Sequence, residues 1–140
     1  MYPYKYSLSL RVWHPTISPD TITKKLRLQP SRKWMAGEPR STPKGSKLKG
    51  INKETYWTAE LHREKSLLSR KMALEDFLTE QLARLKKVEK YFRHIRKTGG
   101  RIEFFVGLFC DKNMGAEVPS SLLAAMGKLG IDLSLDIYPE

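Results

Sequence analysis

The sequence has a single cysteine, Cys110, and one thiol cannot close an internal disulfide. No apolar stretch approaches the roughly 20 residues that a helical membrane span needs. The opening "MYPYKYSLSLRVWH" alternates polar and apolar residues, where a secretory leader would carry a basic head and an apolar core. A cytoplasmic protein is the expectation from these absences. Histidines number three, His14, His62 and His94, at spacings that suit no metal site. Acids are scarce in the first fifty residues, two against eleven Lys or Arg.

Positive charge is what the chain has in excess. Its 26 Lys and Arg outnumber 15 Asp and Glu, for a formal net charge of +11. The excess is uneven, because residues 101–140 reverse it with three bases and six acids. Such segregation creates a field with direction, which attracts polyanions, acidic proteins or the opposite end of another copy. With 40% apolar and 29% charged residues, the chain is neither disordered by composition nor fibrous. Its 140 residues suit one domain over 1–140.

Periodicity gives the elements. "YSLSLRVWH" at 6–14 alternates as a strand, with Leu8, Leu10 and Val12 on one face and Ser7, Ser9, Arg11 and Trp13 on the other. "SPDTITKKLRL" predicts a short helix capped by Ser18, with Pro19 at its first position. "ETYWTAELH" predicts a strand with Trp57, Ala59 and Leu61 together. From about 72 to 98 an apolar stripe through Leu74, Phe77, Leu78, Leu82, Leu85, Val88, Phe92 and Ile95 predicts one long helix stopped by Gly99 and Gly100. "RIEFFVGLFC" reads as a central strand covered on both faces. "VPSSLLAAMGKLG" predicts a helix ended by Gly130, and "IDLSLDIYP" a strand with Ile131, Leu133, Leu135 and Ile137 inward. The order predicts an α+β fold: a four-stranded, mainly antiparallel sheet with helices on one face, a ferredoxin-like sandwich with an enlarged middle helical connection.

Between the first helix and the second strand lies a basic loop, about 31–54. Residues 27–50, "RLQPSRKWMAGEPRSTPKGSKLKG", hold seven Lys or Arg and one acid. The Pro, Gly, Ser and Lys content argues against a regular element, and the length exceeds the ~12–15 residues usual for unstructured connections. Trp34 is the expected anchor of its first half, since an indole in water gains nothing from burial. The second half has no such anchor. Arg32, Lys33, Arg40, Lys44, Lys47 and Lys49 are the candidate anion- or partner-binding residues.

Several of these stretches occur together in one family: "SLSLRVW", "LRLQPSRKWMAGEP" with Pro30, Trp34 and Gly37, the Trp of "TYWTAEL", the long helix and the closing "LLAAMGKLGIDLSLDIY". Over roughly residues 6–138 the chain resembles the bacterial domains grouped as "domain of unknown function 4279". The resemblance implies an α+β domain with no assigned reaction and no catalytic residues to carry over. Some small bacterial domains of this style protect against secreted toxins, an analogy at the level of fold.

Signals of catalysis are few. His94 lies in the basic last turn of the long helix, where it complements the dipole. His14 and His62 end two strands and could serve as an acid–base or metal pair only if those ends meet. Cys110 closes an apolar run and reads as a buried, inert thiol. "TGGR" has too few glycines to cradle phosphate. The chain is therefore expected to be no enzyme and to need no metal or cofactor. The outward sheet face is expected to display Trp13, Tyr56, Phe105, Phe109 and Tyr138. Base stacking there would be opposed by Glu60, Glu103, Asp132 and Asp136, which repel a phosphate backbone. A protein contact, with a homodimer as its simplest form, fits that face better. The expected function is recognition of an acidic protein partner through the basic loop, of the immunity type, and the alternative is non-specific nucleic-acid binding through the same bases.

Overall fold

The computed structural model describes residues 2–139. Alternation in the N-terminal segment produces β1, Lys5–His14, whose even-numbered side chains from Tyr6 to His14 are buried. Helix α1, Pro19–Leu26, begins where the Ser18 hydroxyl accepts the Asp20 N–H and ends at Arg27 in the left-handed region, φ 54°. Three short strands follow, β2 (Arg32–Trp34), β3 (Pro39–Ser41) and β4 (Lys47–Ile51), before β5 (Thr55–Glu60) and the two-residue β6 (Leu67–Leu68). The long apolar stripe forms two helices, α2 (Leu74–Leu85) and α3 (Glu89–Lys97), separated by a 3₁₀ turn at Lys86–Val88. Strand β7 (Arg101–Cys110), helix α4 (Ser120–Leu129) and strand β8 (Ile131–Pro139) complete the chain.

The strands line up as β2-β5-β1-β7-β8, with β6 also paired to β1. Every pair in this sheet is antiparallel except β7–β8, which is parallel. The result is α+β with a mixed sheet, and it departs from the ferredoxin-like sandwich. That sandwich is built on split βαβ units, in which another strand separates the two parallel ones. Here α4 crosses over between adjacent strands, as in an unsplit βαβ unit. The sheet also gains a strand, since β2 adds to the edge of β5.

All helices contribute to one core. Tyr6, Leu8, Leu10 and Val12 of β1, Trp57 of β5 and Ile102, Phe104 and Val106 of β7 pack with Ile22, Leu78, Phe92, Ile95, Leu122 and Met126. Trp57 also donates its indole N–H to the Thr23 hydroxyl at 3.0 Å. Among the described residues, no helix packs on the other face of the sheet. The expectation that β7 is covered on both faces therefore fails, with Phe105 and Phe109 only partly buried. The inward pattern expected along β8 fails too: Ile131 is buried, but Leu135 and Ile137 are exposed. Helix α4 runs for only 10 residues, about 15 Å, against about 30 Å for a nine-residue strand.

The basic connector contains regular strands, contrary to the loop reading. β2 docks on β5, and β3 and β4 form a separate antiparallel hairpin. Positive φ at Gly37 and Gly45 lets the chain turn between β2 and β3 and between β3 and β4.

Two glycines test the packing. A Cβ on Gly100 would lie 2.6 Å from both the Ile95 side chain and the Trp13 carbonyl oxygen, whereas one on Gly127 meets nothing within 4 Å. Gly100→Ala is expected to destabilise the fold by about 1–3 kcal/mol, because backbone must move. Gly127→Ala is expected to stabilise α4 by about 0.5–1 kcal/mol. Urea unfolding of both variants checks the pair, and equal effects would contradict this packing.

Candidate functional site

Strand register decides what the open face displays. Trp34 lies opposite Tyr56, Tyr56 opposite Trp13, and Trp13 opposite Arg101. The three rings follow one another at 4.6 Å and 5.4 Å between centroids. Guanidinium groups close both ends of this row, Arg32 over Trp34 at 4.8 Å and Arg101 over Trp13 at 4.1 Å. The Trp34 indole N–H donates to the Glu54 carbonyl at 3.1 Å, which fixes β2 to the body. Sequence reasoning placed Trp34 in a loop and did not see Arg101. The available signal was the spacing of Arg32 and Trp34, two apart, which puts both on one face of a strand.

Farther along, Arg11 stacks on Phe105 at 3.6 Å and reaches Glu103 at 3.8 Å. Burial raises the Glu103 carboxyl above its usual range; Arg11 and Arg101 oppose this, and Asp132 adds to it. At the far end Phe109 and Tyr138 stack at 5.0 Å, and the Tyr138 hydroxyl donates to Asp136. The five aromatics singled out from the sequence share this face, but they form no continuous apolar patch. Trp13 and Tyr56 belong to the cationic row, Phe105 lies beneath Arg11, and Phe109 and Tyr138 sit beside the acidic edge.

The six connector bases divide. Lys33 lies opposite the buried Trp57, so it faces the helix layer, where its ammonium meets Asp20 at 2.6 Å. That contact holds the Asp20 carboxyl below its usual range. Arg32 belongs to the row on the open face, donating also to the Ser41 carbonyl at 3.4 Å. Arg40, Lys44, Lys47 and Lys49 lie on the exposed β3–β4 hairpin, with Arg40 donating to the Lys49 carbonyl at 3.2 Å. Among the described residues, none of these five pairs with a carboxylate. A cleft lined by Arg32, Trp34, Thr42, Pro43 and Asn52 joins β2 to the hairpin.

The histidines do not meet. His14 Nδ1 accepts the backbone N–H groups of Thr16 and Ile17, both at 3.0 Å, and its Nε2 lies 2.7 Å from the Thr98 hydroxyl. That hydroxyl donates to the His94 carbonyl, so Nε2 carries the proton. His62 Nε2 accepts the Leu8 N–H at 2.9 Å. Leu8 and His14 lie six residues apart on β1, about 20 Å. Both rings close strand ends, and the acid–base or metal pairing that depended on their meeting is withdrawn. Cys110 is partly exposed, its thiol 2.9 Å from the Lys112 carbonyl, and is not the buried group expected. Among the described residues, no three His, Cys, Asp or Glu side chains gather to hold a metal ion, and no helix is long and apolar enough to cross a membrane.

The chain belongs to the family described as domain of unknown function (DUF4279), whose model matches residues 4–140. Neither a curated protein nor a solved structure matches it.

The His14 geometry has a pH signature. Burial, then the nearby His94, lowers its pKa from the usual value. The unfolded chain therefore takes up the proton first as pH falls, near 6.5. The stabilisation from neutral His14 is complete above that pH and is lost below it, at up to about 1.4 kcal/mol per pH unit. In His14→Asn the side-chain carbonyl can accept the same N–H groups without titrating. Urea midpoints near pH 7.5 and 5 are expected to fall further in the parent chain than in the variant. Equal pH dependence in both would refute a neutral, structural His14.

Proposed function

We propose that this member of the DUF4279 family is a cytoplasmic, non-catalytic binding domain that recognises an acidic protein partner. The surface it would use is the cationic end of the open face together with the β3–β4 hairpin. A role in neutralising an acidic toxin is the immunity-type form of this reading. Its main support is the row Arg32–Trp34–Tyr56–Trp13–Arg101, beside Arg40, Lys44, Lys47 and Lys49. A guanidinium stacked on a ring keeps its in-plane N–H groups free, and these suit a carboxylate bidentately. Arg101 also lies 3.9 Å from Glu54, an exposed pair that a partner's carboxylate can replace at little cost.

Nucleic acid is the second reading, and the hairpin bases favour it. Base stacking on the row gains less support, because its rings already contact one another and two of them carry a guanidinium. A nucleic-acid complex would rest on phosphates, and five such contacts give a log–log salt slope of about −4 to −5 on duplex DNA.

Two of the three tryptophans lie in the row, so intrinsic fluorescence can follow binding. Polyglutamate is expected to perturb the emission, and Arg32→Ala or Arg101→Ala to weaken its binding roughly tenfold. Lys33→Ala should leave it within about twofold, since Lys33 serves Asp20 on the opposite face. Duplex DNA that binds with the steep salt slope while polyglutamate fails to compete would replace the acidic-protein reading with the nucleic-acid one.

A further inference from the structure

The two edges of the sheet are built differently. At one edge β2 is three residues long, carries Arg32 and Lys33, and leads into a separate hairpin. Short length and charge are how natural sheets keep a free edge from pairing with another strand. At the other edge β8 is nine residues long, "IDLSLDIYP", with no Lys or Arg, and its one Pro is at the last position. Its outer backbone groups face no other strand among the described residues. Leu135 and Ile137, on the helix side of the sheet, are 53% and 68% exposed, and Tyr138 on the open side is 43% exposed. This edge therefore combines unpaired backbone with uncovered apolar side chains.

We propose that β8 is a self-association edge, pairing antiparallel with β8 of a second copy about a two-fold axis through Leu135. The axis stands perpendicular to the sheet, so both helix layers fall on the same side. This register sets Leu135 against itself, Leu133 against Ile137, Ser134 against Asp136 and Asp132 against Tyr138. All nine residues of the strand are used. Each carboxylate lies opposite a hydroxyl, and Tyr138 already donates to a carboxylate, that of Asp136, within its own strand. Centring the pair on Ser134 would oppose Asp132 to Asp136, and centring it on Asp136 would oppose that residue to itself; like charges directly opposite are destabilising. Leu133, Leu135 and Ile137 from both copies form one apolar strip beside α4. The joined sheet has ten strands on one path, five from each copy. Each cationic row runs inward from an outer end of this sheet and stops at Arg101 on β7, one strand short of the contact.

A paired strand edge is at the small end of specific interfaces, roughly 1,000–1,200 Å², so a dissociation constant of about 1–50 μM is expected. Sedimentation velocity of the full chain from about 1 to 500 μM should follow the conversion of monomer to dimer. Leu135→Lys puts two ammonium groups on the axis and should raise the dissociation constant about thirtyfold or more. A second test does not depend on a charged substitution. In a Cys110→Ser background, Leu135→Cys should oxidise to a disulfide-linked dimer, because facing residues bring their Cα atoms within the reach of a disulfide. Ile137→Cys should not, since its copies lie beyond about 7 Å in this register. Monomer at every concentration would overturn the proposal. So would a dimer indifferent to Leu135→Lys, or linking at position 137 as readily as at 135.

Discussion

The period-two alternation of β1 is the constraint on which the rest of the molecule depends. This strand pairs with β5 on one side and β7 on the other, and it also receives β6. Tyr6, Leu8, Leu10 and Val12 are buried against the helices, each worth about 1.5–3 kcal/mol relative to exposure. That burial fixes the register, because a slip of one residue would send Trp13 and Arg11 into the core and Leu8 into water. The composition of the open face is therefore a consequence of the core. Arg11 and Trp13 are held where they are by the residues on either side of them.

What could be read from the sequence follows the strength of local pattern. The faces of β1 and β5, the Ser18 cap and the Gly130 stop were legible because each rests on a few neighbouring residues. The long helix was legible as a stripe, but not its break at Lys86–Val88, which no Gly or Pro marks. Strand order was not legible. A helix between two strands is compatible with parallel or antiparallel placement, and only the assembled core selects β1 antiparallel to β7 and β8 parallel to it. β2 escaped notice because three residues between Pro30 and Gly37 carry almost no periodic signal, although Arg32 and Trp34 obey it. The hairpin of β3 and β4 was hidden by its composition: Pro, Gly, Ser and Lys favour turns, and its strands bury little to stand out as a pattern.

The uneven spread of charge along the chain becomes an uneven spread across the sheet. β2 comes from the base-rich first part of the chain and forms one edge, and it leads into the separate β3–β4 hairpin. β8 comes from the acid-rich final forty and occupies the other, carrying Asp132 and Asp136. The topology thus sets the basic strand β2 and the acidic strand β8 at opposite edges. Between them Arg11, stacked over Phe105, meets Glu103, a junction where burial raises the carboxyl and the neighbouring guanidinium groups hold it back.

The spacing of strands explains why the aromatic row does not behave as an open stacking surface. Adjacent strands lie about 4.8 Å apart, close to the 4.6 Å and 5.4 Å between the ring centroids of Trp34, Tyr56 and Trp13. Rings at facing positions can therefore cover one another, each such pair contributing about 0.5–1.5 kcal/mol. Arg32 lies over Trp34 and Arg101 over Trp13, so the two terminal rings each carry a guanidinium. What the row offers a ligand above all is the planar N–H groups of two guanidinium ions held in place by stacking. A nucleobase needs a free face and gains little from such a surface. A carboxylate needs oriented donors, and the row supplies them already ordered, with less side-chain entropy left to lose on binding.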